Sequence, residues 1–198
     1  MECRLAYGLM AVSIPIPISE DCEETRWIAR AIAGEEAAHR WLLERYRQRA
    51  VRLAAHVLRR SDEAEDVAQE AFIRAFRSLR NYRGDGRFYT WLYHIVVRTC
   101  IDRQRLARWN RETPLEQKTE LATIEDDAQT RLLVEALLDR LSPTVRAALV
   151  LFEIEGLEYQ EIAEVLDIPV GTVRSRLNSA RAQFRAMYSA AMKETADV

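Results

Sequence analysis

An all-α fold in two small domains is predicted for this 198-residue chain by three observations. Glycine and proline are sparse, at six and five residues, while 48% of the chain is apolar, so helices with real cores are favoured over a turn-rich β fold. Apolar residues recur at steps of three and four, and no stretch alternates with the period of two that marks a strand. Between residues 110 and 127 the helical period gives way to polar, acidic sequence, which reads as a flexible linker between the two domains.

Residues 1–23 form an N-terminal tail. Leu5 to Ile18 is mildly apolar, but Glu2, Pro15 and Pro17 and the lack of a small-residue cleavage site argue against a signal peptide. A flexible tail, or translation from Met10, is the expectation. No apolar run approaches the about 20 residues of a membrane span, so no membrane insertion is expected. The first domain spans 24–109. Trp27, Ile28, Ala31 and Ile32 precede Gly34, and helical character continues through Trp41, Leu42, Tyr46, Leu53 and Leu58. Ser61-Asp62 interrupts it, and Asp62 followed by Glu65 predicts a capping box opening a helix to about Leu79. Asn81 to Gly86, with two glycines, predicts a loop, and a helix follows from about Tyr89 to Arg108.

The second domain spans 128–198. Leu132, Leu133, Ala136, Leu137 and Leu141 share one face of a helix beginning near Ala128. Ser142-Pro143 then predicts a sharp helix start, with serine at the N-cap and proline at the first helical position. That helix ends near Gly156, and two more follow, Tyr159–Leu166 and Val170 to about Met192.

Charge is segregated although the net charge is only −2. Residues 71–111 hold ten arginines against two acids, and residues 170–193 hold five bases and no acid. Residues 112–140 and 141–169 are each at −5. Two basic blocks with an acidic surface between them suit two separate nucleic-acid contacts; ordinary solvated helix faces are the plainer reading. Cys3, Cys22 and Cys100 show no CxxC or Cys/His spacing, so neither a metal site nor a disulfide framework is expected. No nucleophile motif or phosphate-binding glycine loop appears, and an enzyme with a cofactor is a poor reading.

Two segments carry the functional pattern. Residues 163–185, AEVLDIPVGTVRSRLNSARAQFR, have the form of a helix-turn-helix. Val173, Leu177, Ala180 and Phe184 step by four, three and four and form a packing stripe. Arg174, Asn178, Arg181 and Arg185 step the same way on another face, where a second helix can meet the DNA major groove. In the helix after Ser61, Val67, Ala68, Ala71, Phe72, Ala75, Phe76 and Leu79 form a packing face. Asp66, Gln69, Glu70 and Ile73 form another, which capping alone does not require, and a protein-binding face is the sharper reading.

AEDVAQEAFIRAF, YRGDGRFYTWLYHIVVR and GLEYQEIAEVLDIPVGTVRSRLNSAR resemble, in order and separation, the signature stretches of bacterial sigma factors of the extracytoplasmic-function (ECF) group in the sigma-70 family. The resemblance covers roughly residues 24–192. It implies a first domain corresponding to sigma region 2 and a second corresponding to region 4. Asp66, Gln69, Glu70 and Ile73 then match the face that docks on the β′ clamp of core RNA polymerase, with the β subunit as a further contact. Asn81, Tyr82, Arg83, Asp85, Arg87, Phe88, Tyr89, Arg98, Arg103 and Arg105 match the part that unstacks a base and opens the −10 promoter element. Aromatic faces, cations and a glycine-containing loop meet the physical needs of that task; Trp91 reads as core and His94 as an ordinary polar residue. Thr172, Arg174, Ser175, Arg176, Asn178, Ser179 and Arg181 match the −35 face, with Arg176 and Arg181 as phosphate contacts or surface ion pairs. Small polar Asn178 and Ser179 stand where many relatives carry bulky or basic residues, which implies a variant −35 element. The resemblance further implies a cytoplasmic protein, without a cofactor of its own, held in check by an anti-sigma factor. A helix-turn-helix regulator acting without polymerase is the alternative.

Overall fold

The computed structural model describes residues 22–84, 86–109 and 138–196. Among these the chain is helical: α1 (Cys22–Ile32), α2 (Glu36–Leu58), α3 (Ser61–Ser78), a 3-10 turn (Leu79–Asn81), α4 (Phe88–Trp109), α5 (Pro143–Glu153), α6 (Tyr159–Leu166) and α7 (Val170–Ala196). The linker and most of the helix expected from Ala128 to Leu141 lie outside the described residues, as do residues 1–21, while Cys22 and Glu23 of the expected tail begin α1.

Local chemistry sets each boundary. Gly34 takes φ 91°, a left-handed conformation open to glycine, and its amide reaches the Ala31 carbonyl at 3.0 Å. The helical character expected to continue across Gly34 is therefore broken there into α1 and α2. The capping box expected at Asp62 and Glu65 does not form. The N-cap falls two residues earlier, at Arg60, which is extended and makes no side-chain cap. Asp62 lies inside the first turn, 3.3 Å from the Arg60 guanidinium, where its charge offsets the helix dipole instead. Ser142 occupies the N-cap and Pro143 the first turn, as expected, although the serine side chain makes no cap hydrogen bond.

In the first domain, α2 supplies Leu42, Tyr46, Leu53 and Val57, α3 supplies Val67, Ala71 and Phe72, and α4 supplies Leu92, Tyr93 and Val96, all buried. In the second, Ala147, Val150 and Leu151 of α5 meet Ile162 and Val165 of α6 and Val173 and Leu177 of α7. The two sets form one continuous core, because α5 packs on α2 and α6 packs on α4.

The C-terminus of α2 is a joint between them. Its last carbonyls lack partners within the helix. The Val57 carbonyl accepts hydrogen bonds from Arg146 Nη1 and Gln104 Nε2, each at 3.1 Å. Arg146 is buried in the second domain and also donates to the carbonyls of Leu138, Asp139 and Leu141. A cation at a helix C-terminus is favoured by the dipole, so one guanidinium caps α2 and fastens α5 to it. Arg59, left-handed at φ 60°, reaches Asp139 at 3.0 Å beside it.

His56 sits on the same turn of α2. Its burial, with Arg59 and Arg52 nearby, pushes its pKa below the ordinary value of 6.5. A histidine depressed in the folded state favours folding while neutral, so its contribution is present above the unfolded pKa and is lost as pH falls below it. Urea unfolding at pH 7.5 and pH 5.5 is expected to show a loss of stability at the lower pH that is smaller in His56→Gln than in the wild type.

Candidate nucleic-acid interface

Three surfaces are built on this frame. On α3, burial of Val67, Ala68, Ala71, Phe72 and Ala75 turns Asp66, Gln69 and Ile73 outward. Ile73 is 45% exposed, one of two large apolar side chains so exposed among the described residues. Glu70 lies at the edge of this face and is engaged by α4. Arg74 meets it at 2.6 Å and Arg103 at 3.1 Å, while Arg74 also contacts Asp102 at 3.3 Å. Partial burial opposes ionisation of Glu70, but the hydrogen bonds from Arg103 and Arg74 outweigh it and hold the carboxyl below its ordinary pKa.

The second surface is the loop after the 3-10 turn and the start of α4. A cavity of about 270 Å³ opens there, lined by Asn81, Tyr82, Arg83, Arg87, Trp91 and His94, among others. The Tyr82 hydroxyl donates to the Gly86 carbonyl at 2.7 Å and closes the loop, in which Gly84 takes φ 77°. The rings of Tyr82, Phe88 and Trp91 lie 5.5–5.6 Å apart in edge and tilted contacts. Phe88 is 2% exposed and also meets Tyr46, so it is the floor of this cluster rather than its open face. Trp91, read as core, is half-buried and lines the cavity. Asn81, Arg83, Arg98 and Arg105 are exposed, and Arg103 is turned onto Glu70. Asp85 lies outside the described residues.

Tyr89 is buried, and its hydroxyl donates to Glu161 of α6. Arg87 donates to the Tyr89 hydroxyl at 3.1 Å and lies 3.7 Å from Glu161. Burial, reinforced by the hydrogen bond to Glu161, raises the Tyr89 pKa.

The third surface is the helix-turn-helix. Glu158 and Glu161 form a reciprocal capping box that starts α6, and Asp167, left-handed at φ 51°, ends it. Val173, Leu177 and Ala180 are buried, which sets Arg174, Ser175, Asn178 and Ser179 in solvent. Thr172 and Arg176 are half-buried. Thr172 accepts the Ser175 hydroxyl on its carbonyl at 2.9 Å, and Gln183 donates to Ser179 Oγ at 3.1 Å. Arg181 turns back to Glu153 at 3.4 Å and lies over the Phe152 ring at 5.1 Å.

Sequence reasoning missed Thr90, Glu161 and Glu164, and took His94 for an ordinary polar position. Thr90, His94 and Glu164 line the cavity, and His94 Nδ1 lies 2.9 Å from the Val165 carbonyl. The partners of Tyr89 and His94 are 72 and 71 residues away along the chain, beyond any periodicity. The acidic balance of residues 141–169 was the one signal available.

Two helical domains, one carrying an aromatic loop and one ending in a helix-turn-helix, have the form of a DNA-binding protein. Comparison with known proteins places it further. Residues 42–110 match the family Sigma-70 region 2, and residues 131–184 match Sigma-70, region 4. The chain is 35% identical over 178 residues to the RNA polymerase sigma-H factor of Pseudomonas aeruginosa, covering 80% of this chain and 90% of that one. It is 32% identical over 179 residues to the ECF RNA polymerase sigma-E factor of Escherichia coli, covering 83% and 93%. The structure of CnrH in complex with the cytosolic domain of CnrY matches with a TM-score of 0.62 at 26% identity, over 84% of this chain and 97% of that one. The sigma factor RpoE of Bartonella quintana, solved with the anti-sigma factor NepR, shares the fold at a TM-score of 0.65 and 18% identity, over 76% and 96%. The chain belongs to the sigma-70 family, as a sigma factor of the ECF group that serves RNA polymerase in promoter-specific transcription initiation.

The burial pattern separates the covered from the exposed members of the loop. Phe88→Ala is expected to cost about 3–5 kcal/mol of unfolding free energy, the range for truncating a buried phenylalanine. Arg83→Ala, on the exposed rim, is expected to stay within about 0.5 kcal/mol of the wild type. Denaturant unfolding of the two variants checks both values.

Proposed function

We propose that the three surfaces divide the work of initiation. Region 2, residues 24–109, docks on the polymerase β′ clamp through Asp66, Gln69 and Ile73, with Glu70 at the edge. Its loop and α4 take the −10 element. There Tyr82 and Trp91 offer ring faces, Asn81 a hydrogen-bonding rim, and Arg83, Arg98 and Arg105 cations for phosphate. Region 4, residues 128–198, reads the −35 element through Arg174, Ser175, Asn178 and Ser179, with Thr172 at the helix start suited to phosphate. The single observation that carries this reading is the opposition on α7: Val173, Leu177 and Ala180 are buried while those four polar residues are exposed.

Arginine binds guanine bidentately and asparagine binds adenine bidentately in the major groove, so Arg174 and Asn178 ask for both bases in the −35 element. Arg181, held by Glu153 and Phe152, serves phosphate or the fold rather than base edges. The linker at 110–127 joins two individually weak contacts, and their specificity comes from effective concentration. The protein contributes no catalysis, acts in the cytoplasm, and is controlled by an anti-sigma factor. No helix among the described residues is long and apolar enough to cross a membrane, and a similar chain, CnrH, is seen bound to the cytosolic domain of another protein.

Run-off transcription with core polymerase on a promoter library tests this directly, since a regulator that does not join polymerase confers no initiation. Ile73→Asp is expected to abolish core binding in a pull-down while leaving the melting temperature near that of the wild type. Arg174→Ala is expected to weaken promoter binding by about 5- to 150-fold, the worth of about 1–3 kcal/mol for one bidentate base contact. That loss should vanish on templates with the guanine replaced, as read in band-shift titrations with holoenzyme.

A further inference from the structure

Helix α1 lies outside the stretch at 42–110 that matches region 2 and takes no part in the three surfaces. It is nevertheless fastened to α2 by more than its buried Ile28 and Ala31. Trp27 stacks on Trp41 with ring centroids 5.5 Å apart and planes 11° from parallel. The Arg30 guanidinium lies over the Trp27 ring at 4.3 Å, and that of Arg45 over the Trp41 ring at 5.1 Å, so cation–π attraction adds to the stack. One turn before Trp27, the Glu24 carboxylate accepts from the Tyr46 hydroxyl and stands 3.6 Å from Arg45 Nε. The Tyr46 ring in turn meets Phe88 at 5.4 Å, and Phe88 carries Tyr82 and Trp91 at 5.5 and 5.6 Å. We propose that Glu24 is a positioning residue for capture of the −10 strand: through Tyr46 and Phe88 it sets the placement of the Tyr82 and Trp91 rings on which an unstacked base rests.

Closing the bundle does not require this arrangement, because burial of one apolar stripe is enough to seat an amphipathic helix. A carboxylate whose side chain is only 18% exposed is unfavourable unless hydrogen-bonded or paired, and Glu24 is both. A phenylalanine at 46 would fill nearly the same volume; the hydroxyl adds a fixed direction to the ring. Burial, reinforced by the hydrogen bond to Glu24, raises the Tyr46 pKa well above its ordinary value of 10, so the hydroxyl remains a donor. Tyr46 and Phe88 are 5% and 2% exposed, and an interior packed this closely transmits a displacement rather than absorbing it. Tyr82 and Trp91 are half-buried above that floor and follow it. Helix α1 also packs against the 3-10 turn from which the loop springs, so it braces the loop at its root as well as through its floor. A base stacks on the ring face presented to it, and the brace therefore acts on strand affinity without touching the strand.

The inference rests on the assignment of the −10 face to Tyr82 and Trp91, and the experiment separates the two. Holoenzymes carrying full-length wild type, Glu24→Ala, Glu24→Gln or Tyr46→Phe are titrated with a fluorescein-labelled, single-stranded non-template −10 oligonucleotide from a promoter selected in the run-off library. The same holoenzymes are titrated with −35 duplex, and circular-dichroism melting verifies the fold of each chain. Tyr46→Phe keeps the ring and removes only the donor, so it reads the bond even where Glu24→Ala lowers stability. Glu24→Ala and Tyr46→Phe are each expected to weaken strand binding by about 2- to 30-fold, the range for substitutions that act on a ligand through intervening side chains. The double variant is expected to be no weaker than the weaker single, because both remove one bond. Glu24→Gln keeps an oxygen for the Tyr46 hydroxyl and is expected to recover most of the wild-type affinity. Glu36→Ala, on the exposed start of α2, is expected to match the wild type, and −35 affinity to be unchanged throughout. Glu24→Ala and Tyr46→Phe holoenzymes that bind the strand as the wild type does overturn the positioning role, and the −10 assignment stands if Tyr82→Ala and Trp91→Ala still weaken binding. A loss shared equally by the −35 duplex overturns it too, since general destabilisation then explains the effect. So does a Glu24→Ala loss that persists in full when Tyr82 and Trp91 are already alanine. Holoenzymes whose strand binding is unaffected by Tyr82→Ala and Trp91→Ala overturn the −10 assignment, and the positioning role with it.

Discussion

Everything functional in this protein depends on how α4 is buried. Leu92, Val96 and Cys100 are each 0% exposed, with Tyr93 and Val97 close behind, and this stripe wedges α4 between α2 and α3. Burial of an apolar stripe of this width is the main favourable term in the domain. Once it is satisfied, the helix has no rotational freedom left. The remaining edges of α4 are then placed by the 3.6-residue repeat: Trp91 and His94 at the cavity, Arg98 and Arg105 in solvent, Arg103 against α3. Burial also pushes the Cys100 thiol up to about 12, which leaves it protonated and inert.

Arginine–carboxylate pairs then tie the functional surfaces together. Glu70 bridges Arg74 and Arg103, so the exposed face of α3 and the basic edge of α4 share an ionic cluster. Glu161 has two roles, closing the capping box of α6 and receiving Tyr89 from α4. Arg146 fastens the second domain to the carbonyl end of α2. The contacts of Glu70 with Arg103, Glu161 with Tyr89 and Arg146 with Val57 each join elements distant in sequence.

Much of the architecture was legible beforehand because it follows from periodicity and composition. The separation of Asp66, Gln69 and Ile73 from the buried side of α3, and of Arg174 and Asn178 from the buried side of α7, came straight from steps of three and four. The helix start at Pro143 came from the conformational limits of proline, whereas the break at Gly34, where helical character was expected to continue, appears only in its φ of 91°. The capping box at Asp62 and Glu65 was misread because the helix begins at Ser61, which leaves Asp62 in the first turn and not at the cap. The true reciprocal box, Glu158 with Glu161, has glutamate at its N-cap and escapes a search for serine, threonine or aspartate. Phe88 and Tyr89 were grouped with the exposed rings, since sequence shows an aromatic residue but not the side from which it is covered.

The amino-acid sequence by itself determined the all-α class, the order of regions 2 and 4 along the chain, and the family. Those properties rest on local periodicity, turn chemistry and motif spacing, which need no knowledge of distant partners. Only the tertiary structure decided that the two domains share one core, that Arg146 caps α2, and that Glu161 and Glu164 stand on the basic face of α4. The physical reason is that an acidic block advertises its charge but not its address. Glu161 reaches Arg87 and Tyr89 because α6 must bury Ile162 and Val165, and that burial turns the opposite edge of the helix toward α4.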